Sequence, residues 1–187
     1  MQLALYTPET STWYALLNKA QAESRCYFNA EVESYLVYVL SYMSSEDALT
    51  PGYSGEHAGT IAQSSKERRL SKVRKIGEQC LVITGLFPDH ANRIGVPLLY
   101  MMEKGRNAFV ELANSLPGED VYTYISEHFV QVIDVLQKLS DLCGDGYSID
   151  LIQACELWQG TGSRYGWTVI QNNLGAFPTA TASELQH

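Results

Sequence analysis

Long apolar runs are missing from this sequence. No stretch approaches the roughly twenty apolar residues that a membrane-spanning helix needs, so no membrane association is expected. Residues 1–25 show no basic start followed by a continuous apolar stretch, so no secretory signal is expected either. Cysteine is scarce and scattered: Cys26, Cys80, Cys143 and Cys155 form no Cys-x-x-Cys pair. Three of the four fall on apolar helical faces, which fits reduced thiols acting as small core residues. These features predict a cytoplasmic protein.

Chemical signatures are equally sparse. A di-iron bundle needs Glu-x-x-His on two helices and further Glu residues on two more. The histidines lie far apart, at 57, 90, 128 and 187, and Glu31 and Glu33 point to different sides of their helix. No metal or cofactor is therefore expected. There is no Gly-x-Ser-x-Gly nucleophile motif, and Gly162-Ser163 reads as a helix cap. Gly144–Gly146 follows a helix and not a strand, so it is neither a phosphate loop nor a dinucleotide fingerprint. The sequence names no catalytic residue. Positive charge is also short, 13 Lys and Arg against 21 Asp and Glu for a net charge of −8. That balance argues against general attraction to nucleic acid or anionic membrane.

What is present is a helical core. Apolar residues make up 45% of 187, enough for one domain, which we place at 1–178, with a flexible polar tail at 179–187. Residues 1–8 read as an extended arm ending at Pro8. Trp13, Leu16, Leu17 and Ala20 share one face of a first helix capped by Thr10, Ser11 or Thr12 and running to about Arg25. Asn29 caps a second helix, to about Met43, with Val32, Leu36, Val39, Leu40 and Met43 as its stripe. Residues 44–64 carry Pro51, Gly52, Gly55 and Gly59 and read as a long Gly-rich loop.

The stretch Lys66–Pro88 begins basic and ends apolar. Leu70, Val73, Gly77, Cys80, Leu81 and Thr84 recur at helical spacing, and Gly77 lets a neighbouring helix come close. Gly85 fits a left-handed cap, and Pro88 a stop. After a turn at 88–95, Pro97 opens a fourth helix with Leu98, Met101, Met102, Gly105, Ala108, Phe109 and Leu112 inward; Gly105 and Ala108 suggest a second close approach. Glu119 and Asp120 start a fifth and central helix, continuous to about Leu142, with His128 on its apolar stripe. Gly144 and Gly146 end it. Ser148 is expected to cap a shorter helix whose apolar face is Leu151, Ile152, Cys155 and Trp158. Ser163 caps a last helix ending at Leu174-Gly175. No segment has the period of a strand. The expected fold is an all-α, single-domain bundle of about seven helices, four of them long.

Three blocks carry a resemblance: RKIGEQCLVITGLFP at 74–88, PLLYMMEKGRNAFVELA at 97–113 and ELWQGTGSRYGWTVIQNNLGAFP at 156–178. In order and spacing they resemble an uncharacterised family of helical proteobacterial proteins, with Leu86 standing where that pattern has an aromatic residue. The resemblance implies a recurrent fold and no particular activity.

His128 on a core stripe reads first as a hydrogen-bonded core residue. The sharper alternative is a base or ligand contact in a pocket between helices, with Glu33, Glu103, Tyr35 and Tyr38 as available partners. Arg74 borders the apolar face and calls for a carboxylate, Glu78 at i+4 or Glu31 or Glu33 from another helix. Lys66, Arg68, Arg69, Lys72 and Lys75 flank it; residues 66–75 carry +5 and leave −13 to the rest. Three functions follow. The leading expectation is a non-catalytic protein-interaction or regulatory module, with a protein partner or its own copy, using that basic helix. The second is a small-molecule binder or enzyme with an interhelical pocket lined by His128, Arg74, Glu33, Tyr35 and Tyr38. The third is nucleic-acid binding through the basic helix, which the acidic remainder of the chain disfavours.

Overall fold

The computed structural model describes residues 10–43, 65–144 and 149–175. The expected arm at 1–8, the Gly-rich loop at 44–64 and the tail from 179 lie outside them. Nine α-helices and no strand make up the described residues: α1 Thr10–Ser24, α2 Ala30–Met43, α3 Ser65–Leu86, α4 Pro88–Arg93, α5 Leu98–Ser115, α6 Asp120–Glu127, α7 Phe129–Cys143, α8 Leu151–Thr161 and α9 Arg164–Gly175. None is long and apolar enough to cross a membrane.

α3 and α5 pack through small residues. A Cβ on Gly77 would stand 3.3 Å from Ala108 Cβ and 3.2 Å from the Phe109 ring, and one on Gly105 would stand 2.8 Å from Cys80 Cβ. These positions let the backbones approach, and larger residues beside them fill the seam. Leu81, Phe109 and Leu112 are fully buried there, each stabilising the fold by about 1.5–3 kcal/mol relative to exposure.

α7 is the central helix. Val132, Ile133, Val135, Leu136 and Leu139 are buried, and so are Asp134, Gln137 and Ser140 on its remaining sides. The buried polar groups satisfy the ends of neighbouring helices. Pro88 has no N–H to offer the Thr84 carbonyl four residues before it. Gln137 Nε2 donates to that carbonyl at 3.1 Å, and Ser140 Oγ donates to the Leu86 carbonyl at 3.1 Å.

Four sequence expectations are corrected. Gly85 is not a left-handed cap: it lies within α3, where a Cβ would be 2.6 Å from Leu136 Cβ, so it serves close packing against α7. Pro88 does not stop the chain but opens α4, where its missing N–H costs nothing. The helix expected over 119–142 breaks at His128, which divides α6 from α7 with φ −111° and ψ 26°. At that break the Ser126 carbonyl accepts from Arg106 Nε at 3.2 Å instead of from the next turn. Finally, α8 is capped by Asp150, not Ser148, which lies outside the described residues. Asp150 accepts from Gln153 N at 2.8 Å, and Gln153 Oε1 accepts from Asp150 N at 3.1 Å, a reciprocal capping box.

Ser11 and Thr12 lie inside α1, which begins at Thr10, and do not cap it, but three other caps stand where the sequence places them. Asn29 Oδ1 accepts from Val32 N at 2.9 Å, Gly144 ends α7 at φ +75°, and Ser163 Oγ accepts from Gly166 N at 2.9 Å at the start of α9.

Candidate functional site

Arg74 and Tyr35, both singled out from the sequence, meet in one partly buried cluster. Tyr35 on α2 donates its hydroxyl to Glu78 Oε1 at 2.9 Å. The Arg74 guanidinium lies over the Tyr122 ring, 5.4 Å from its centre. The Tyr35 ring makes edge contacts with Phe109 and Tyr122. Burial pushes the Glu78 carboxyl above its usual range, against the Tyr35 hydrogen bond and the Arg74 charge, which hold it down. Burial likewise raises Tyr35, with the Glu78 charge adding to the rise, and pushes Tyr122 up to about 12. Arg74 therefore has Glu78 as its electrostatic partner but rests on an aromatic face. Its Nε is buried with no hydrogen-bond partner.

The remaining pocket candidates do not join this cluster. Glu33 accepts from Gln21 Nε2 at 2.9 Å, and Gln21 Oε1 accepts from Phe28 N at 2.6 Å, so this pair fastens the α1–α2 turn. Tyr38 is exposed and stacks on Tyr42, with ring centres 6.3 Å apart. His128 is half-buried at the α6–α7 break. Its ring stacks on Tyr124 at 4.4 Å, with Nδ1 3.1 Å from the Tyr124 carbonyl. It lines neither of the two clefts described below.

Lys66, Arg68, Arg69 and Lys72 are exposed on the first turns of α3, and Lys75 is half-buried. Arg69 is bound internally, 2.7 Å from Glu111 of α5.

The larger cleft was not foreseen from the sequence. It encloses about 640 Å³ where the end of α1 meets α7 and α9. A neighbouring cleft of about 270 Å³ shares Gln131, Asp134 and Arg164 with it. Asp134 is buried at the junction, accepting from Ser163 Oγ at 2.5 Å and from Arg164 N at 2.8 Å. Burial raises its carboxyl above the usual range, while the Ser163 and backbone hydrogen bonds oppose that rise. Glu23 pairs with Lys138 at 3.1 Å, and Asp141 accepts from the Tyr165 hydroxyl at 2.8 Å. The cleft's carboxylates are thus already engaged. At its rim Arg25 adopts φ +50°, a left-handed conformation that glycine reaches without steric cost. Burial, aided by the Asp134 charge, raises the adjoining Cys26 thiol, so it is not an activated nucleophile. Only one sequence signal pointed here: an Asp set inside the apolar run Val132–Leu136.

The second unforeseen surface is the outer face of α8 and α9. The apolar stripe expected to enter the core faces out. Leu151, Ile152 and Trp158 are exposed and Cys155 half-buried, while Gln153, Ala154 and Leu157 are the buried side of α8. Trp158 packs against Trp167 of α9, with ring centres 4.7 Å apart, and Leu174 is exposed two turns further along.

Among the described residues no group of three or more His, Cys, Asp or Glu side chains is placed to hold a metal ion. No family model, curated protein or solved structure matches this chain.

Proposed function

We propose that this chain is a non-catalytic helical module that works by binding another protein, with the outer face of α8 and α9 as its contact surface. The observation that carries this reading is the exposed Trp158–Trp167 pair, on two helices that also expose Leu151, Ile152 and Leu174. Large contiguous apolar patches are uncommon on monomeric proteins, and tryptophan is enriched where binding energy concentrates. The exposed cations at the start of α3 add a polar contact area suited to an acidic partner segment. The four cysteines form no disulfide, in keeping with a reducing, cytoplasmic setting.

A photo-crosslinking residue at position 152, compared with one at exposed position 107 on α5, tests this in the native cell. A discrete protein adduct from 152 that is absent from 107 is expected. No adduct from 152, or the same adducts from both positions, would overturn the reading.

One observation favours a second reading, a small anionic ligand in the α1–α7–α9 cleft. Arg25 lines that cleft in a left-handed conformation that disfavours any side chain, so the side chain itself is the reason to keep it there. Calorimetric titration with inorganic phosphate, on the intact chain and on Arg25→Gly, tests it. Saturable heat that disappears in the variant supports the reading, and no heat from the intact chain rejects it.

A further inference from the structure

We propose that the protein seated on the outer face of α8 and α9 is a second copy of this chain, related by a two-fold axis. This rests on the reading of that face as a contact surface and names its occupant.

Charge is the first argument. Residues 151–175 contain only Glu156 and Arg164 as charged groups and are neutral overall, on a chain whose net charge is −8. Two copies repel through most of their surfaces and least through this one. A neutral face also has no charge pattern by which a partner of opposite sign would be selected, whereas it matches another neutral face.

Area is the second. Ile152 is 72% exposed, Leu174 58%, Trp158 42%, Trp167 39% and Leu151 37%. With tryptophan and aliphatic side chains of ordinary size, these five leave on the order of 500 Å² of mainly apolar surface. A stable interface takes roughly 800 Å² from each partner, and homodimer interfaces are about two-thirds apolar. The patch supplies that apolar share, and the polar residues around it supply the rim.

Geometry is the third. Trp158 and Trp167 lie equally far from the turn at Gly162-Ser163, and so do Leu151 and Leu174, two helical turns further out. The hairpin therefore presents a bulky level and a slimmer level, separated by a whole number of turns. A two-fold axis with the hairpins antiparallel sets the tryptophans of one copy on the leucines of the other. Closed two-fold contacts of this isologous kind are the commonest form of protein assembly.

Sedimentation equilibrium of the intact chain, over a concentration series at low and at high salt, tests the proposal. The mass is expected to rise from 20.8 kDa toward twice that value, more readily at high salt because screening weakens the repulsion between two acidic copies. Ile152→Lys, whose side chain has no fold to support at 72% exposure, is expected to keep its helical circular dichroism and to weaken association by about 100-fold or more. A 20.8 kDa species at every concentration would overturn the proposal, as would a dimer equally strong in Ile152→Lys and Trp158→Ala. A monomer in the centrifuge with a different protein crosslinked to position 152 would end this inference and leave the broader reading standing. A monomer with no adduct would end both.

Discussion

Ser163 Oγ donates to Asp134 Oδ1 at 2.5 Å while accepting from Gly166 N at 2.9 Å. One hydroxyl thus ties the first turn of α9 to the middle of α7, and the Arg164 amide takes the other oxygen of Asp134. Asp134→Ala leaves a buried hydroxyl and a backbone N–H without their acceptor, so a loss of about 2–3 kcal/mol in urea unfolding is expected. Ser163→Ala removes the cap but leaves the Arg164 amide on Asp134, and a smaller loss of about 1 kcal/mol is expected. Equal losses in the two variants would mean that the shared hydroxyl, and not the carboxylate, organises the junction.

Gly85 and Gly160 form a controlled pair. A methyl on Gly85 meets Leu136 Cβ at 2.6 Å, which only a shift of the α7 backbone can relieve. Gly85→Ala is expected to cost about 1–3 kcal/mol by overpacking. A methyl on Gly160 meets only the tip of Leu99, whose Cδ1 would be 3.0 Å away and is free to turn. Gly160→Ala in the exposed side of α8 is expected to be neutral or to stabilise by up to about 1 kcal/mol. Thermal unfolding of both variants checks the contrast.

Glu78 gives a dependence on pH. Its carboxyl is raised in the folded chain by burial, so between the unfolded and folded values the folded state holds a proton that the unfolded state has released. The resulting penalty is absent below the unfolded value, grows as pH rises toward the folded value, and is complete above it. Glu78→Gln keeps an acceptor for the Tyr35 hydroxyl and removes the charge. The variant is expected to exceed the parent in stability by on the order of 1 kcal/mol at neutral pH, with the two converging below about pH 4. Urea midpoints across that range provide the check. A variant less stable than the parent at neutral pH would show that the attraction of Arg74 for the carboxylate outweighs its burial.

Much of the fold was legible in the sequence, and the exceptions have identifiable causes. All seven inward residues assigned to α5, from Leu98 to Leu112, are buried, because that helix has a single core face with a clean 3.6-residue period. The Gly77, Gly105 and Ala108 contacts were legible because small residues at helical spacing have few other uses. Asp134, Gln137 and Ser140 were not: Asp134 shares a helix face with exposed Gln131 and Asp141 and so reads as solvated, and polar residues at the other two positions give no sign that helix ends lie against them. The break at His128 depends on Arg106, twenty residues away from the carbonyl it takes. The direction of α8 was misread for a more useful reason. Its strongest apolar stripe is not the one the fold buries, and the discrepancy leaves Leu151, Ile152 and Trp158 exposed.

Arg25 stands where glycine is the residue of least strain. Arg25→Gly removes a left-handed side chain at φ +50° and adds freedom to the unfolded chain, two effects of opposite sign. A net stabilisation of about 0.5–1 kcal/mol is expected in chemical unfolding. A destabilised variant would show that the Arg25 side chain makes a contact that supports the fold itself.

Two cysteines give the most direct test of the contact surface, whoever the partner is. Cys155 is half-buried on α8, and Cys143 is exposed at the end of α7. Thiol labelling followed by mass spectrometry compares the two sites, in intact cells and in dilute purified protein, with Cys143 as the internal reference. Cys155 is expected to label several-fold more slowly relative to Cys143 in the cell than in dilute solution, the protection that a bound partner would give. An unchanged Cys155-to-Cys143 ratio under both conditions would contradict the proposed contact surface.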